Sequence, residues 1–142
     1  MRIVLDTNCL IQIVGRNTSY HKIFQEILAG RLTLLLSKEV VLEYEEIFSS
    51  KISPEFSGFL IKALLENPFI DKVEIFYQWN LISQDSDDNK FIDLGLNGNA
   101  DYLITNDKHF NIVKSISFPA LKIITIKDFF DLWLQQQRNT TP

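Results

Sequence analysis

The chain has 142 residues, of which 46% are hydrophobic and 23% are charged, as in an ordinary globular protein. This length fits one domain, which we predict over residues 1–134, followed by a frayed polar tail over residues 135–142. The formal net charge of −4 argues against a protein that coats nucleic acid through bulk positive charge.

Short apolar runs alternate with helical patterns from the first residues onward. Residues 2–5 are predicted to form a first strand, and residues 9–14 a short helix. Residues 17–19 (NTS) are predicted to cap the next helix, which Gly30 ends. Residues 32–36 are an apolar run that indicates a second strand.

Two helices and a third strand follow in the middle of the chain. Ser37 is predicted to cap a helix that runs to about Ser49, and Pro54 begins another. The residues of this second helix that we expect to face inward are Phe56, Phe59, Leu60, Ala63 and Leu64. Residues 72–76 are predicted to form the third strand.

The last part of the chain repeats the alternation of helix and strand. We predict helices over residues 88–96 and 128–136, and strands over residues 102–104 and 122–125. Strands that are separated by helices imply parallel pairing with right-handed crossovers. The predicted fold is therefore an α/β protein, a three-layer α/β/α sandwich with a central, mostly parallel sheet.

The sequence also indicates a cytoplasmic protein without a membrane partner. Its apolar runs are shorter than the roughly 18 residues that a membrane helix needs. Its first residues lack the pattern of a secretory signal. The single cysteine, Cys9, cannot form an internal disulfide, which fits a reducing compartment.

An aspartate follows two of the predicted strands. Asp6 comes directly after the first strand, and Asp107 follows the fourth. The carboxyl ends of parallel strands meet at one side of the sheet, which we call the carboxyl edge, and open α/β folds place their ligands there. We expect both aspartates at this edge, although a role in a turn would also explain Asp107.

A third acid is expected on the helix that Ser37 caps. Glu43 lies at the margin of the apolar face of this helix, between Val40 and Ile47. A carboxylate beside a buried stripe needs a partner, because an unpaired buried charge is costly. Taken alone, Glu43 would fit equally a partly exposed glutamate on an acidic helix.

A fourth acid comes from the run at residues 85–88 (DSDD). Asp88 falls on the inward face of its predicted helix, whereas Asp93 is predicted to project to the opposite side. Helix capping explains one of the aspartates at positions 85, 87 and 88 well, and all three less well. Helical phase favours Asp88 as the functional residue, with Asp85 and Asp87 left open.

Together, the four acids indicate a metal site. Gathered carboxylates repel one another, and a divalent cation is the simplest compensation. The ligands would all be oxygen atoms, which favours Mg²⁺ or Mn²⁺ over zinc. Such sites commonly serve phosphate-transfer chemistry.

Four segments of the chain occur in the order that is seen in PIN domains. They are residues 5–10 (LDTNCL), 37–44 (SKEVVLEY), 87–91 (DDNKF) and 100–107 (ADYLITND). The chain resembles this family over nearly its whole length. Within the family it is similar to the toxin components of toxin–antitoxin pairs, the VapC-like ribonucleases.

The resemblance implies a catalytic set and supporting residues. The acidic quartet of the family corresponds to Asp6, Glu43, Asp88 and Asp107, with Asp6, Asp88 and Asp107 as metal ligands and Glu43 ligating or orienting the attacking water. Asn8 and Thr105 match polar positions that line the pocket or orient a carboxylate. The chain departs from the family pattern at Cys9, where an aliphatic residue is usual, and at Asn106, where glycine is frequent, and neither change removes a ligand.

The resemblance also implies an activity and partners. The activity is Mg²⁺- or Mn²⁺-dependent hydrolysis of RNA that leaves 5′-phosphate and 3′-hydroxyl ends. Lys90, Lys108 and His109 lie near the predicted edge and could contact phosphates, although solvated surface positions explain them equally. The expected partners are an RNA substrate, a small antitoxin protein and a second copy of the chain in a homo-oligomer, for which a dimer is expected.

Other folds that begin with a strand ending in aspartate fit less well. Haloacid-dehalogenase-like phosphatases need a second aspartate two residues on, where this chain has Asn8. Response-regulator receivers need an aspartate after the third strand, where residues 76–78 (FYQ) offer none. The serious alternative is a catalytically inactive PIN-fold module that binds RNA or protein without cutting RNA.

Overall fold

A parallel sheet lies at the centre of the computed structural model, which describes residues 1–82, 86–117 and 120–140. Its five strands within those residues are β1 (Arg2–Leu5), β2 (Thr33–Leu36), β3 (Asp71–Lys72), β4 (Tyr102–Ile104) and β5 (Ile123–Ile124). They are arranged in the order β3-β2-β1-β4-β5, and every pairing is parallel. The predicted α/β/α class with a mostly parallel sheet is therefore confirmed.

Helices cover the sheet and connect its strands. They are α1 (Thr7–Val14), α2 (His21–Leu28), α3 (Lys38–Lys51), α4 (Pro54–Glu66), α5 (Ser86–Asn97), α6 (Asn111–Lys114) and α7 (Ile126–Thr140), and a 3-10 turn spans Lys108–Phe110. The side chains of Ser86 and Asp87 lie outside the described structure, as does all of Asp85. Because α7 continues to Thr140, most of the predicted tail is helical and exposed, and the predicted division at residue 134 stays a prediction.

The first strand is the centre of the hydrophobic core. Ile3, Val4 and Leu5 are fully buried, and α5 packs on β1 and on both of its neighbours. A strand of a parallel sheet that is covered on both faces can be apolar at every position. This burial brings the end of β1, and with it Asp6, deep into the carboxyl edge.

Most predicted helix boundaries agree with local chemistry. The Ser37 side chain accepts a hydrogen bond from Val40 N, and Pro54 is the first residue of α4. Gly30 ends α2 with φ of +82°, a conformation that glycine adopts without strain. The predicted cap at residues 17–19 is wrong in its mechanism, because Tyr20 precedes α2 and its side chain makes no capping bond.

The predicted inward positions of Phe59 and Ala63 are wrong. Phe59 is 74% exposed and Ala63 is also exposed, whereas Ser57, Leu60 and Leu64 are buried. The Ser57 hydroxyl donates a hydrogen bond to the Glu45 carbonyl oxygen at 2.8 Å, which fixes the rotation of α4 against α3. With this rotation the helix turns Phe59 to solvent.

The third strand is shorter than predicted. Val73 N donates a hydrogen bond to Leu36 O at 2.7 Å, and β2 ends at Leu36, so no strand of the described residues lies beside the chain beyond Val73. Residues 73–82, which we call the clasped segment, run on outside the sheet, with Phe76 84% exposed. The reason lies in α5, whose side chains bind the backbone of this segment in place of a neighbouring strand.

Three α5 residues spaced one turn apart hold the clasped segment. The Asn97 side chain accepts hydrogen bonds from Phe76 N and Tyr77 N and donates one to Tyr77 O at 2.8 Å. Asp93 Oδ1 accepts from Trp79 N at 2.9 Å. Asp93 is predicted to project to the side opposite Asp88, and the implied exposure is wrong, since this side chain contacts the clasped segment and only 6% of Asp93 is exposed.

The third member of this set is Asn89. Its side chain accepts a hydrogen bond from Ile82 N at 2.9 Å and donates one to Ile82 O at 2.7 Å. A primary amide offers both a donor and an acceptor, so it can pair with a peptide group much as a neighbouring strand does. Within the described chain, no helix is long and apolar enough to cross a membrane.

Candidate metal centre

Asp6 lies at the junction between β1 and α1. It is the N-cap residue of α1, its side chain is only slightly exposed, and its backbone N donates to Ile104 O of the adjacent strand β4 at 3.0 Å. The sequence produces this position because a buried apolar strand runs straight into a helix. Asp6 is therefore held by the sheet itself and not by a loop.

Thr105 links the two aspartates that follow β1 and β4. The Thr105 hydroxyl donates a hydrogen bond to Asp6 Oδ2 at 2.8 Å. Thr105 Oγ1 also accepts a hydrogen bond from Asp107 N at 3.0 Å. Thr105 is buried, so neither bond competes freely with water. One side chain thereby fixes the orientation of Asp6 and the path of the backbone at Asp107.

Glu43 approaches the carboxyl edge from α3. The Thr7 hydroxyl donates to Glu43 Oε2 at 2.5 Å, and Lys90 Nζ lies 3.2 Å from Glu43 Oε1. The Glu43 side chain is only 17% exposed, which agrees with its position at the margin of the apolar face. Its two oxygens thus have different neighbours, a hydroxyl on one side and an ammonium group on the other.

Asp88 and Asp107 come together with a histidine. One ligand atom from each of Asp88, Asp107 and His109 can be chosen so that the three atoms lie within 4.8 Å of one another. His109 Nδ1 is 3.4 Å from Asp107 Oδ1 and 4.0 Å from Asp88 Oδ2. His109 N also donates to Asp107 Oδ1 at 2.9 Å, so the 3-10 turn is anchored on this carboxylate.

Crowding and burial act on the charge of Asp6. The pKa of Asp6 is raised, first because burial disfavours the carboxylate and also because Asp107 and Glu43 carry like charge nearby, although the Thr105 hydroxyl opposes the shift. A divalent cation would reverse the cost of these charges. The donor set of carboxylates with one imidazole suits Mg²⁺ or Mn²⁺, so the residues fit such an ion.

The two residues that were predicted to support the site, Thr105 and Asn8, differ in burial. Thr105 is buried against Asp6, whereas Asn8 is exposed and its Oδ1 accepts a hydrogen bond from Lys51 Nζ at 3.2 Å. Cys9 is buried, and its burial together with the charge of Asp6 raises the pKa of its thiol to about 12. The Cys9 thiol is therefore protonated and packs as a small apolar group.

Three further residues belong to the site although the sequence assigned them no such role. The sequence predicts His109 only as a possible phosphate contact, and it predicts no role at the site for Thr7 or Tyr44. The buried Tyr44 hydroxyl donates to Leu5 O, the last carbonyl of β1, and thereby ties α3 to the strand that carries Asp6. The signal for Thr7 and Tyr44 was their position beside Asp6 and Glu43 in the chain.

Comparison with known proteins gives a family and a fold. The sequence model of one family, described as PIN domain, matches residues 2–109. No curated protein matches the sequence. The solved structures are similar in fold at low sequence identity.

Three of those structures illustrate the similarity. VapBC2 from Rickettsia felis, bound to a DNA fragment from its promoter, has 18% identity and a TM-score of 0.61 over 88% of this chain and 98% of that one. DNA-bound VapBC from Salmonella typhimurium has 13% identity and a TM-score of 0.59 over 89% and 98%. VapBC-1 from nontypeable Haemophilus influenzae has 19% identity and a TM-score of 0.54 over 89% and 99%.

Proposed function

The chain belongs to the PIN domain family, and on this premise we propose that it is a metal-dependent endoribonuclease that acts in the cytoplasm as the toxin of a toxin–antitoxin pair. The observation that supports this most is the gathering of like charge around a buried carboxylate. Burial raises the pKa of Asp6, the like charges of Asp107 and Glu43 add to this shift, and Asp88 lies beside Asp107 and His109. A structural role for so many acids at one edge would carry an electrostatic cost without a compensating gain.

Asp6, Asp88 and Asp107 would hold the cation, with His109 beside the last two. When bound, Mg²⁺ or Mn²⁺ supplies Lewis acidity, which lowers the pKa of a water molecule and neutralises charge on a phosphoryl group. Thr105 keeps Asp6 oriented through its hydroxyl. Because Asp6 and Thr105 directly follow buried strands and Asp88 lies on α5, little reorganisation is needed when RNA binds.

Glu43 and Lys90 would act on the water and the phosphate. Glu43 Oε2 is held by the Thr7 hydroxyl, so the carboxylate can accept a hydrogen bond from the attacking water in a fixed orientation. Lys90, 3.2 Å from the other oxygen, can turn toward a phosphate oxygen. Attack in line with the 3′-oxygen, which takes up a proton as it leaves, gives 5′-phosphate and 3′-hydroxyl ends.

RNA cleavage in the presence of Mn²⁺ tests this proposal. Asp6→Asn preserves size and can still accept the Thr105 hydrogen bond, so the fold should remain intact while cleavage falls by roughly a thousandfold, because several kcal/mol of transition-state stabilisation is lost. Asp131→Asn removes a carboxylate from the exposed face of α7, where Asp131 pairs with Lys127, and should cleave at the wild-type rate. Wild-type cleavage by a folded Asp6→Asn protein would contradict the assignment.

A non-cutting RNA- or protein-binding module is the alternative, and the same assay separates the two. Such a module would release no 5′-phosphate ends at any Mn²⁺ concentration. It would also gain no thermal stability from Mn²⁺, whereas a protein whose folded state alone binds the ion gains stability with concentration. A folded chain that neither cleaves RNA nor gains stability with Mn²⁺ would favour the module.

A small antitoxin protein is the proposed partner. Leu42 and Leu65 are 56% and 46% exposed, respectively, and both line a largely apolar cavity of about 430 Å³ between α3, α4 and the start of the clasped segment. Apolar side chains grouped in this way suit contact with another protein. The VapBC complexes of similar fold support the choice of partner.

We also infer a homodimer, and light scattering of the purified chain tests it. A mass of twice 16.5 kDa is expected, and a monomer at all concentrations would contradict the inference. Co-expression with the product of an adjacent small open reading frame tests the antitoxin, which should copurify with the chain and suppress RNA cleavage. Unchanged cleavage in its presence would exclude that product as the antitoxin.

A further inference from the structure

A second cavity lies beside the proposed metal centre. Its volume is about 240 Å³, and its lining includes Glu39 from α3, Lys90 and Asp93 from α5, and Ile75, Gln78 and Asn80 from the clasped segment. Asn89 of α5 also lines the cavity, so the wall is mixed, with two acids, one cation, three primary amides and an apolar side chain. Such a combination suits a flat polar ligand that both donates and accepts hydrogen bonds.

Lys90 joins this cavity to the metal centre. The same side chain that lines the cavity lies 3.2 Å from Glu43 Oε1. Glu39 precedes Glu43 by four residues, which places it on the same side of α3 about 6 Å away along the helix axis. A ligand in the cavity would therefore lie about one nucleotide's length from a phosphate held at the metal centre.

The wall formed by the clasped segment is fixed by α5. Asp93 accepts a hydrogen bond from Trp79 N, and the Asn89 side chain forms hydrogen bonds with both Ile82 N and Ile82 O. The backbone is therefore anchored on either side of Asn80. Asn80 itself has φ of +50°, a conformation that turns the chain between these anchors. The exposed amide side chains of Gln78 and Asn80 are presented from a backbone that is held in place.

We propose that this cavity binds one nucleobase of the RNA substrate and that Glu39 selects guanine there. The inference rests on the proposed ribonuclease function and names the base that lies next to the cleaved phosphate. The Watson–Crick edge of guanine offers two neighbouring donors, N1–H and the N2 amine, and one carboxylate accepts both. Its O6 accepts a hydrogen bond from Gln78, Asn80 or Lys90.

Guanine fits the cavity better than other occupants of similar size. Adenine and cytosine each present one amine donor beside a ring nitrogen acceptor on this edge, and that acceptor would face the Glu39 carboxylate. A divalent cation in this cavity would lie near two carboxylates but also near the ammonium group of Lys90, whose positive charge would repel the metal ion. The described part of the chain offers no group of three metal-ligating side chains here, in contrast to Asp88, Asp107 and His109.

Nucleotide binding without catalysis tests the inference. The probes are the four ribonucleoside 5′-monophosphates, titrated into the full chain in EDTA and followed by NMR at the side-chain amides of Gln78 and Asn80. Guanosine monophosphate should bind roughly tenfold or more tightly than the other three, because a bidentate pair discriminates by that order. Equal affinity for all four would overturn the proposal.

Two variants on α3 make the test specific to Glu39. Glu39→Gln keeps the size of the side chain but offers one acceptor oxygen, so the preference for guanine should fall by about tenfold. Glu46→Gln changes an exposed glutamate of the same helix and should bind like the wild type. A preference that persists in Glu39→Gln would overturn the role of this residue.

The outcomes also separate this inference from the ribonuclease proposal. Guanosine monophosphate binding at Gln78 and Asn80, combined with no Mn²⁺-dependent cleavage, would support guanine binding in the cavity and contradict the proposed ribonuclease activity. Cleavage that depends on Asp6, combined with equal binding of the four nucleotides, would refute the cavity alone. Addition of Mn²⁺ should broaden resonances at the metal centre, and selective broadening at Gln78 and Asn80 would assign the cavity to a cation and overturn the proposal.

Discussion

The carboxyl edge and the clasped segment lie side by side but are built by different means. At the carboxyl edge, Asp6 and Thr105 directly follow β1 and β4, whose last two residues are fully buried, and main-chain pairing between those strands sets the separation of the two residues. Beyond Val73, the clasped segment has no neighbouring strand in the part of the chain that the structure describes. Three side chains of α5 hold it instead, with Phe76 and Tyr77 mostly exposed.

This difference suggests a division of labour. Chemistry on a phosphate requires groups that are positioned to within a fraction of an ångström, and rigid elements supply that precision. Recognition of a base tolerates more adjustment, and residues on a segment held by a few side chains can change without disturbing the core. Substitutions in one region should leave the other region unchanged, so that it serves as an internal control.

The largest expected effect comes from Thr105→Val at the carboxyl edge. This change keeps the shape of the side chain but removes the hydroxyl that binds Asp6 and Asp107, so Mn²⁺ affinity should fall by about 10- to 100-fold. Isothermal titration calorimetry measures the affinity. The matched control is Thr33→Val, in β2 at the opposite end of the sheet, and the clasped segment should bind nucleotides as before in both variants.

Asn97→Ala should weaken the clasped segment and leave the carboxyl edge unchanged. It removes hydrogen bonds to Phe76 N, Tyr77 N and Tyr77 O, so the free energy of unfolding should fall by about 2 kcal/mol. Amide exchange of residues 76 and 77 should accelerate, while Mn²⁺ affinity stays at the wild-type value. Asn139→Ala, on the exposed end of α7, is the control, and equal exchange rates in both variants would contradict the clasp.

A smaller effect is expected for Asp93, the buried acid that binds the clasped segment, where the stability change caused by substitution should depend on pH. Burial raises the pKa of Asp93, the hydrogen bond from Trp79 N opposes this shift, and the charge of Glu39 adds to it. An acid with a raised folded-state pKa stabilises the fold below its unfolded pKa, and that contribution is lost as the pH rises through the folded value. Asp93→Asn can still accept from Trp79 N, so its stability relative to wild type should be greater at pH 7 than at pH 3.

Urea unfolding at the two pH values measures this difference. Asp131→Asn, at an exposed position of α7, provides the control for the loss of one surface carboxylate. A relative stability of Asp93→Asn that is the same at both pH values, or lower at pH 7, would contradict the sign.

The sequence predicts the carboxyl edge better than the clasp, for physical reasons. Strands β1 and β4 are short, apolar and buried, so their pattern is distinctive, and the acids follow them directly in the chain. Ser37, Pro54 and Gly30 act through local backbone chemistry, which a sequence displays. The parallel sheet then follows from the alternation of strand and helix.

The clasp depends on contacts that no local pattern displays. Residues 72–76 have strand-like composition, but whether they pair depends on where β2 ends, which is a tertiary fact. Asn89, Asp93 and Asn97 share one face of α5, and a polar face on a helix normally indicates solvent. Phe59 was misassigned for a similar reason, because the Ser57 hydrogen bond to α3 sets the rotation of α4.

The most direct test of the central claim is a calorimetric titration of Mn²⁺ into the wild-type chain and into Asp6→Asn. The claim is that the carboxylates gathered at the carboxyl edge hold a divalent cation around Asp6. We expect saturable Mn²⁺ binding to the wild type and an affinity that is weaker by at least about tenfold in Asp6→Asn, with equal secondary structure in both proteins. Equal affinities, or no binding to the folded wild type, would contradict it.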